Sequence, residues 1–191
     1  ASGLPNYLYR NDGGGTLTRV AAGMVDGNAN STAAAWGDYD NDGDLDLFVS
    51  CAANGGQDGR PNLFYRNNGD GTFTRLTSLP ANDPADQGGA SNGCNWGDYD
   101  NDGWLDLFVA NGAGQNDFLY HNNGDGTFTK ITNSVVVGDA VSSWAAAWGD
   151  YDNDGFLDLF VANSGGTGGA NLLYHNNTND NYWLKFRLVG T

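Results

Sequence analysis

The chain has 191 residues, enough for one ordinary domain, and its formal charge is −15, from 23 Asp against eight Lys and Arg, with no Glu. Such an acidic chain is a poor partner for nucleic acid, because phosphate contacts need Lys and Arg. It also has no apolar run near the roughly 18 residues of a membrane span. Thirty Gly, with abundant Asn and Asp, predict a turn-rich all-β fold.

The first predicted element is a β-hairpin at residues 6–20, where two short strands flank a turn of Asn, Asp and Gly. Turns of this composition supply the positive φ angles that tight hairpins require. The hairpin pattern returns three times, and its tyrosine recurs every 54 to 56 residues. The four copies of this tyrosine are Tyr9, Tyr65, Tyr120 and Tyr174. A repeat of slightly more than 50 residues therefore organises the chain.

A second repeated stretch lies between the hairpins; it reads WGDYDNDGDLDLFV at residues 36–49 and recurs from Trp96 and from Trp148. In the loop after Trp-Gly, Asp occupies the first, third, fifth and ninth positions and Gly the sixth. Carboxylates that repel one another converge stably only around a hard cation, and Ca²⁺ accepts about 6–8 oxygen ligands in loose geometry. The backbone carbonyl of the seventh position would add a ligand. The sequence thus predicts three calcium sites.

The predicted calcium ligands follow the same order in each loop. In the first loop they are Asp38, Asp40, Asp42, Asp46 and the carbonyl of Asp44. In the second they are Asp98, Asp100, Asp102, Asp106 and the carbonyl of Trp104. In the third they are Asp150, Asp152, Asp154, Asp158 and the carbonyl of Phe156. An EF-hand is excluded, because its twelfth loop position needs a bidentate Glu and all three loops have Val there.

Each Asp loop is followed by a Leu-Phe-Val run with the composition of a strand, so the loop joins two strands. Together with the hairpin this gives four short antiparallel strands per repeat, which is typical of a β-propeller blade. We predict a single propeller domain over residues 1–191 with about three and a half blades. It comprises an orphan hairpin at 6–20 and blades at about 32–77, 92–132 and 144–189. The blade strands are expected at 32–37, 45–51, 62–67 and 72–77, at 92–97, 105–111, 117–122 and 127–132, and at 144–149, 157–163, 171–176 and 182–189.

About three and a half blades leave sheet edges open, whereas propellers generally close with four to eight blades. Open edges invite association. We therefore expect either a homo-oligomer, with a dimer favoured, or a chain completed by the remainder of a longer propeller. A closed ring of unusually few blades is the third alternative.

The pattern DxDxDGxxD between strands, preceded by Trp-Gly and followed by Leu-Phe-Val, resembles the FG-GAP or VCBS repeat of integrin-like β-propellers. This resemblance extends over nearly the whole chain and implies calcium-bearing blades in an extracellular or secreted protein, with the periplasm or cell surface included. The C-terminal stretch NDNYWLKFRLVGT at 179–191 resembles the segment that follows the last FG-GAP repeats in proteins of the ASPIC/UnbV type. The alternative is that this stretch simply supplies the final strand.

No motif of a hydrolase, metalloprotease or P-loop protein occurs, so we do not expect an enzyme. His121 and His175 take the repeat position held by Arg10 and Arg66, which favours polar strand residues over catalytic ones. The expected function is a calcium-binding module with a structural or protein-interaction role. One alternative is a lectin that binds glycans through the variable loops between strands, and the other is a non-catalytic fragment of a larger polysaccharide-active enzyme.

The two cysteines, Cys51 and Cys94, fall on neighbouring blades and lie outside the repeat pattern. A disulfide between them is one interpretation, in an oxidising compartment. Two separate buried thiols are the other. Their spacing is not that of a zinc site.

Overall fold

The computed structural model describes residues 6–20, 30–52, 61–77, 84, 89–164 and 169–177, together with the backbone of 183–187. These residues form fourteen β-strands in four antiparallel sheets and one 3-10 turn at Val135–Val137. They contain no helix long and apolar enough to cross a membrane. The all-β prediction is confirmed.

The strands follow the predicted order of one hairpin and three four-stranded sheets. The hairpin is β1 (Tyr9–Gly13) and β2 (Thr16–Arg19). Blade 1 is β3 (Ser31–Gly37), β4 (Asp46–Cys51), β5 (Leu63–Asn67) and β6 (Phe73–Arg75). Blade 2 is β7 (Ser91–Gly97), β8 (Asp106–Asn111), β9 (Phe118–Asn122) and β10 (Phe128–Ile131). Blade 3 is β11 (Ser143–Gly149), β12 (Asp158–Asn163), β13 (Leu172–Asn176) and β14 (Trp183–Arg187). Each blade strand begins and ends within two residues of its predicted bounds.

The first strands of the three blades lie side by side, with β7 between β3 and β11. Side chains join them: Thr32 Oγ1 donates to the Ser91 carbonyl at 2.7 Å, and Asn92 Nδ2 donates to the Ser143 carbonyl at 2.8 Å. The approach is so close that a Cβ added to Gly93 would lie 2.7 Å from the carbonyl oxygen of Trp144. Small residues in these strands thus permit the blades to meet along a common inner edge.

The apolar core lies between the blades, because each second strand presents opposite faces to its two neighbours. In β8, Leu107 and Val109 pack toward blade 1, and Phe108 packs toward blade 3. The Leu-Phe-Val run therefore contributes core side chains to both faces of one sheet, which is why its three residues are all apolar.

The Trp-Gly dipeptide at the end of each first strand forms a contact between neighbouring blades. Trp96 lies against Gly37 of blade 1, where an added Cβ would be 2.7 Å from its Cδ1. Trp148 lies against Gly97 in the same way, at 2.6 Å. At Gly149 no atom of the described part of the chain lies within 4 Å of an added Cβ. The absence of a Cβ at Gly37 and Gly97 thus leaves room for the tryptophan of the following blade, and we call such a glycine the seat of that tryptophan.

No disulfide joins Cys51 and Cys94 in the structure, so the disulfide interpretation is wrong. Cys51 packs with Leu47 and Val49 on one face of β4. Cys94 packs on the opposite face, against the core between blades 1 and 2. The sheet of blade 1 separates the two side chains, and the interpretation of two separate thiols is the correct one.

Candidate metal centres

The three Asp loops share one backbone conformation that only certain residues adopt easily. In the first loop, Asn41 has φ 55° and Gly43 has φ 93°. Asn tolerates the left-handed region and Gly has no Cβ to obstruct it. The Asp38 carboxylate closes the loop, since it accepts the Asp42 amide at 3.1 Å and the Gly43 amide at 3.0 Å. The other two loops repeat these contacts.

The carboxylates at the first, third and fifth positions converge in every loop, with ligand oxygens within 4.8 Å of one another. The three groups are Asp38, Asp40 and Asp42; Asp98, Asp100 and Asp102; and Asp150, Asp152 and Asp154. One oxygen of Asp40 and one of Asp100, Oδ1 in each case, is buried without a hydrogen-bond donor. Carboxylate oxygens are the donors that Ca²⁺ prefers. A buried carboxylate oxygen lacking a donor is the arrangement that a cation would satisfy, so these residues fit calcium.

The Asp at the ninth position lies at the base of the loop and is buried in all three copies. In the first loop, Asp46 accepts the Tyr39 amide at 3.2 Å and the Asn67 amide at 2.8 Å. It therefore ties the loop to the third strand of its own blade. In the second loop Asp106 lies within metal-bridging distance of Asp100. No such grouping with Asp46 occurs among the described residues.

The residue at the seventh position turns its side chain away from the carboxylates. An added Cβ at Gly69 would meet Asp44 Oδ2 at 2.6 Å, and one at Gly124 would meet the Trp104 ring at 2.8 Å. In the first two loops the side chain of this position thus lies on the hairpin turn, and its backbone carbonyl stays the predicted ligand.

The two histidines lie beside the second and third loops, which the sequence did not indicate. His121 Nδ1 is 3.2 Å from both Asp100 Oδ2 and Asp106 Oδ1. His175 Nδ1 is 3.0 Å from Asp158 Oδ1. Arg66 takes this strand position in blade 1, and its charge acts to lower the pKa of Asp40. An Arg or His side chain thus lies beside the acidic loop of each blade.

Burial is the largest cause that raises the pKa of the loop carboxyls. It raises the pKa of Asp46 to about 6 and that of Asp106 to about 8, and like charges from the other loop Asp residues add to the effect. The pKa values of Asp40 and Asp100 are also raised, first by burial and then by the neighbouring Asp. Ionised carboxylates are thus costly here without a counter-charge, and a divalent cation would supply one.

Asparagine side chains connect the loops of successive blades. Asn41 Nδ2 donates to the Gly103 carbonyl at 3.0 Å. Asn122 Nδ2, at the end of β9, donates to the carbonyl of Tyr39 at 2.8 Å. The same two contacts recur between blades 2 and 3. A metal that orders one loop would therefore also act on the next.

A further buried carboxyl lies away from the Asp loops. Asp117, next to the start of β9, accepts the Asn111 amide at 2.7 Å and the Ser143 hydroxyl at 2.8 Å. Burial raises its pKa to about 7. Asp117 joins blade 2 to the first strand of blade 3, which is a structural role.

The sheets and the three acidic loops define the class of protein as a propeller-like repeat protein. The model of the family described as FG-GAP-like repeat matches residues 1–49, 51–109 and 98–161, so the chain belongs to the FG-GAP-like repeat family. These matches end before the C-terminal stretch that resembles the ASPIC/UnbV segment. A search of curated proteins finds no match.

A solved structure with the same kind of fold is a lectin from Agrocybe aegerita, described by its specific recognition of non-reducing terminal N-acetylglucosamine. The TM-score is 0.56 and the sequence identity is 20%. The alignment covers 95% of this chain and 46% of the lectin chain, so this chain spans about half the length of that protein. At this identity the likeness shows the fold.

A lectin site is expected on the variable loops, which are only partly described; these loops are residues 21–31, 52–61, 78–91, 133–143 and 163–170. Residues 21–29, 53–60, 78–83, 85–88 and 165–168 lie outside the described residues. The loop at 133–143 is described, and it borders a cavity of about 320 Å³ lined in part by Tyr99, Lys130 and Asn133.

Proposed function

We propose that this chain is a calcium-stabilised β-propeller module with a structural or protein-interaction role. The observation that supports it best is the convergence of three carboxylates in each of three loops, with a buried oxygen of Asp40 and of Asp100 lacking a donor. Calcium would neutralise each cluster and fix the turn between the first two strands of the blade, so its binding energy would contribute to folding. The module has no catalytic role in this proposal.

The expected affinity supports a location outside the cell. Extracellular calcium modules bind with dissociation constants of about 10⁻⁴ to 10⁻³ M. Here the first, third and fifth carboxylates of each loop are partly or largely exposed to solvent. We therefore propose an extracellular, secreted, periplasmic or cell-surface location, where calcium reaches such concentrations.

Calorimetric titration of EDTA-treated protein with CaCl₂ tests the proposal, together with thermal unfolding at several calcium concentrations. We expect three equivalents to bind, and the melting temperature to rise with free calcium, because the ligand binds the folded state. If no heat of binding is measured and EDTA leaves the melting temperature unchanged, calcium has no role.

Two substitutions in one loop sharpen the test. Asp40→Asn removes a charge from the carboxylate cluster, so one equivalent of calcium should be lost. Asp44→Asn is the matched control, because the Asp44 side chain lies against Gly69 and its backbone carbonyl is the predicted ligand. The control should keep all three equivalents. An equal loss of bound calcium in both variants would mean that the overall negative charge of the loop, and not the carboxylate cluster, binds the ion.

A lectin is the second candidate, favoured by the likeness to the Agrocybe aegerita structure and by the cavity beside the loop at 133–143. A glycan array that includes terminal N-acetylglucosamine would test it. Binding should weaken in Asn133→Ala and persist in Asp40→Asn at saturating calcium. An array without signal for the folded protein would leave only the structural role.

The proposal includes association with further blades, either in a second copy or in a longer chain. The C-terminal resemblance to the ASPIC/UnbV segment fits the second of these, since that segment follows FG-GAP repeats. In the described structure the same stretch contributes strand β14, which pairs with β13.

A further inference from the structure

The hairpin β1–β2 occupies the place of the outer half of a blade. Asn6 precedes it and donates through Nδ2 to the Ser31 hydroxyl at 2.7 Å. Asp117, at the equivalent position of blade 2, bonds to the Ser143 hydroxyl of blade 3 at 2.8 Å. Leu8 of the hairpin likewise packs on the core cluster of blade 1. The hairpin thus packs on blade 1 in the way that β9 and β10, the outer strands of blade 2, pack on blade 3.

The inner half of that blade has no counterpart among the described residues. In blades 1 to 3 the third strand pairs with a second strand that follows an Asp loop, whereas β1 pairs with β2 alone. A cavity of about 310 Å³ lies between the hairpin and blade 1. Its lining is mainly apolar and includes Tyr7, Leu8, Ala34, Leu47 and Val49. We call this space the slot.

Trp36 lies near the end of the first strand of blade 1, and among the described residues no glycine lies against it as Gly37 and Gly97 lie against the other two tryptophans. Trp96 is 8% exposed, rests on Gly37 and meets the Phe48 ring edge-on at 6.3 Å. Trp148 has an equivalent edge-on contact with Phe108 at 6.3 Å. Trp36 is 45% exposed.

We propose that the slot is a docking site for one further inner β-hairpin of the same repeat type. This partner would be a strand ending in Trp-Gly, an Asp loop, and a strand reading Asp-Leu-Phe-Val. Its glycine would seat Trp36, its Phe would meet the indole edge-on, and its second strand would pair with β1 by strand addition. The interfaces between blades 1 and 2 and between blades 2 and 3 provide the template for each contact.

A polar contact completes the match. Asn122 Nδ2 donates across the blade boundary to the Tyr39 carbonyl and also within its own blade to the Leu105 carbonyl. Asn67, its equivalent in blade 1, makes the contact within the blade, to the Leu45 carbonyl at 3.2 Å. Docking would give the Asn67 amide the acceptor across the boundary, from the Asp loop of the added hairpin.

The occupant is a two-stranded element and not a complete blade of a second copy. The outer half of the blade is already present as β1–β2, so the third and fourth strands of an intact blade would collide with it. The space between the hairpin and blade 1 therefore corresponds to the inner two strands. Such an addition would complete a fourth blade and bring a fourth Asp loop.

A fusion protein tests this directly. Residues 90–116, the inner hairpin of blade 2, replace residues 1–5 and run into Asn6, which is equivalent to Asp117. Oxidation of individual tryptophans is then followed by mass spectrometry. If Trp36 becomes as buried as Trp96, its oxidation should slow about fivefold. Trp144, 61% exposed, is the internal reference and should react as before.

A matched fusion carries Gly97→Val in the added copy alone, which blocks the seat while keeping length and charge. Trp36 should then oxidise as fast as in the original chain. As a second measurement, Trp36→Ala should lower the melting temperature of the fusion and leave that of the original chain almost unchanged.

Two results would overturn the proposal. One is a folded fusion in which Trp36 oxidises at the original rate and tolerates Ala without loss of stability. The other is an original chain in which Trp36 is already protected and light scattering gives the mass of two chains, because a second copy would then cover the slot. Neither readout depends on calcium binding, so the proposed function can fail independently.

Discussion

Replacing Gly37 by Ala tests whether glycine is the seat that joins one blade to the next. The added methyl carbon would lie 2.7 Å from Trp96 Cδ1, 2.8 Å from Cγ and 3.1 Å from Leu105 Cδ1. Carbon atoms pack best at about 3.5–4.0 Å, so the indole must move. It cannot move freely, because Phe64 and Phe128 lie with ring centroids 5.7 Å and 6.2 Å from it.

The expected cost follows from overpacking a filled core, which typically destabilises a protein by about 1–3 kcal/mol. For a chain of this length, 1 kcal/mol shifts the melting temperature by about 2–4 °C. Gly37→Ala should therefore lower the melting temperature by several degrees. The backbone is not the cause, since Gly37 does not lie in the left-handed region.

Gly149→Ala is the matched control, because it has the same repeat position and no atom of the described part of the chain within 4 Å of an added Cβ. It should be neutral, or stabilise by up to about 1 kcal/mol through lower entropy of the unfolded chain. Thermal and urea unfolding in saturating calcium measure both variants. Equal destabilisation by the two substitutions would refute the seat and point to a general requirement for glycine in the motif.

Three further predictions concern charge, polar contacts and thiols. In EDTA, the free energy of unfolding should fall as pH rises from about 4 to 8. Burial raises the pKa of Asp117 to about 7 and that of Asp106 to about 8, so the folded state holds protons that the unfolded state releases. Urea titrations measure this slope, and saturating calcium should flatten it. Asn122→Ala should lower the free energy of unfolding by about 1–3 kcal/mol, because it leaves the buried carbonyl of Tyr39 without its donor. Asn67→Ala should lower it less in the same assay, because Asn67 makes the contact within its own blade. Reductant should leave the melting temperature unchanged, because Cys51 and Cys94 form no disulfide.

The sequence predicts the strands well because two independent repeats mark them. The Asp loop and the hairpin turn alternate, so every blade strand is bounded on one side by a recognisable turn. The register follows from the alternation of side chains: Leu107 and Val109 must share one face and Phe108 the other. The convergence of the first, third and fifth carboxylates was also predictable from spacing, whereas calcium occupancy stays a prediction.

The contacts between blades could not be read from the sequence. His121 reaches Asp100 and Asp106 only because the third strand of a blade runs beside its own Asp loop. Asn122 reads as an ordinary turn residue, yet it bonds to a carbonyl 83 residues away in the chain. Such contacts depend on the angle between sheets, which no local pattern specifies. The buried carboxyl of Asp117 has no sequence signal for the same reason.

The Trp-Gly dipeptide makes the order of the blades directional. Each repeat carries its tryptophan toward the preceding blade and its glycine toward the following one, as Trp96 and Gly97 show. A gene duplication that copies one whole repeat therefore copies both halves of an interface at once. The new unit is compatible with its neighbours from the start, so an array of this kind can lengthen by duplication before any substitution occurs.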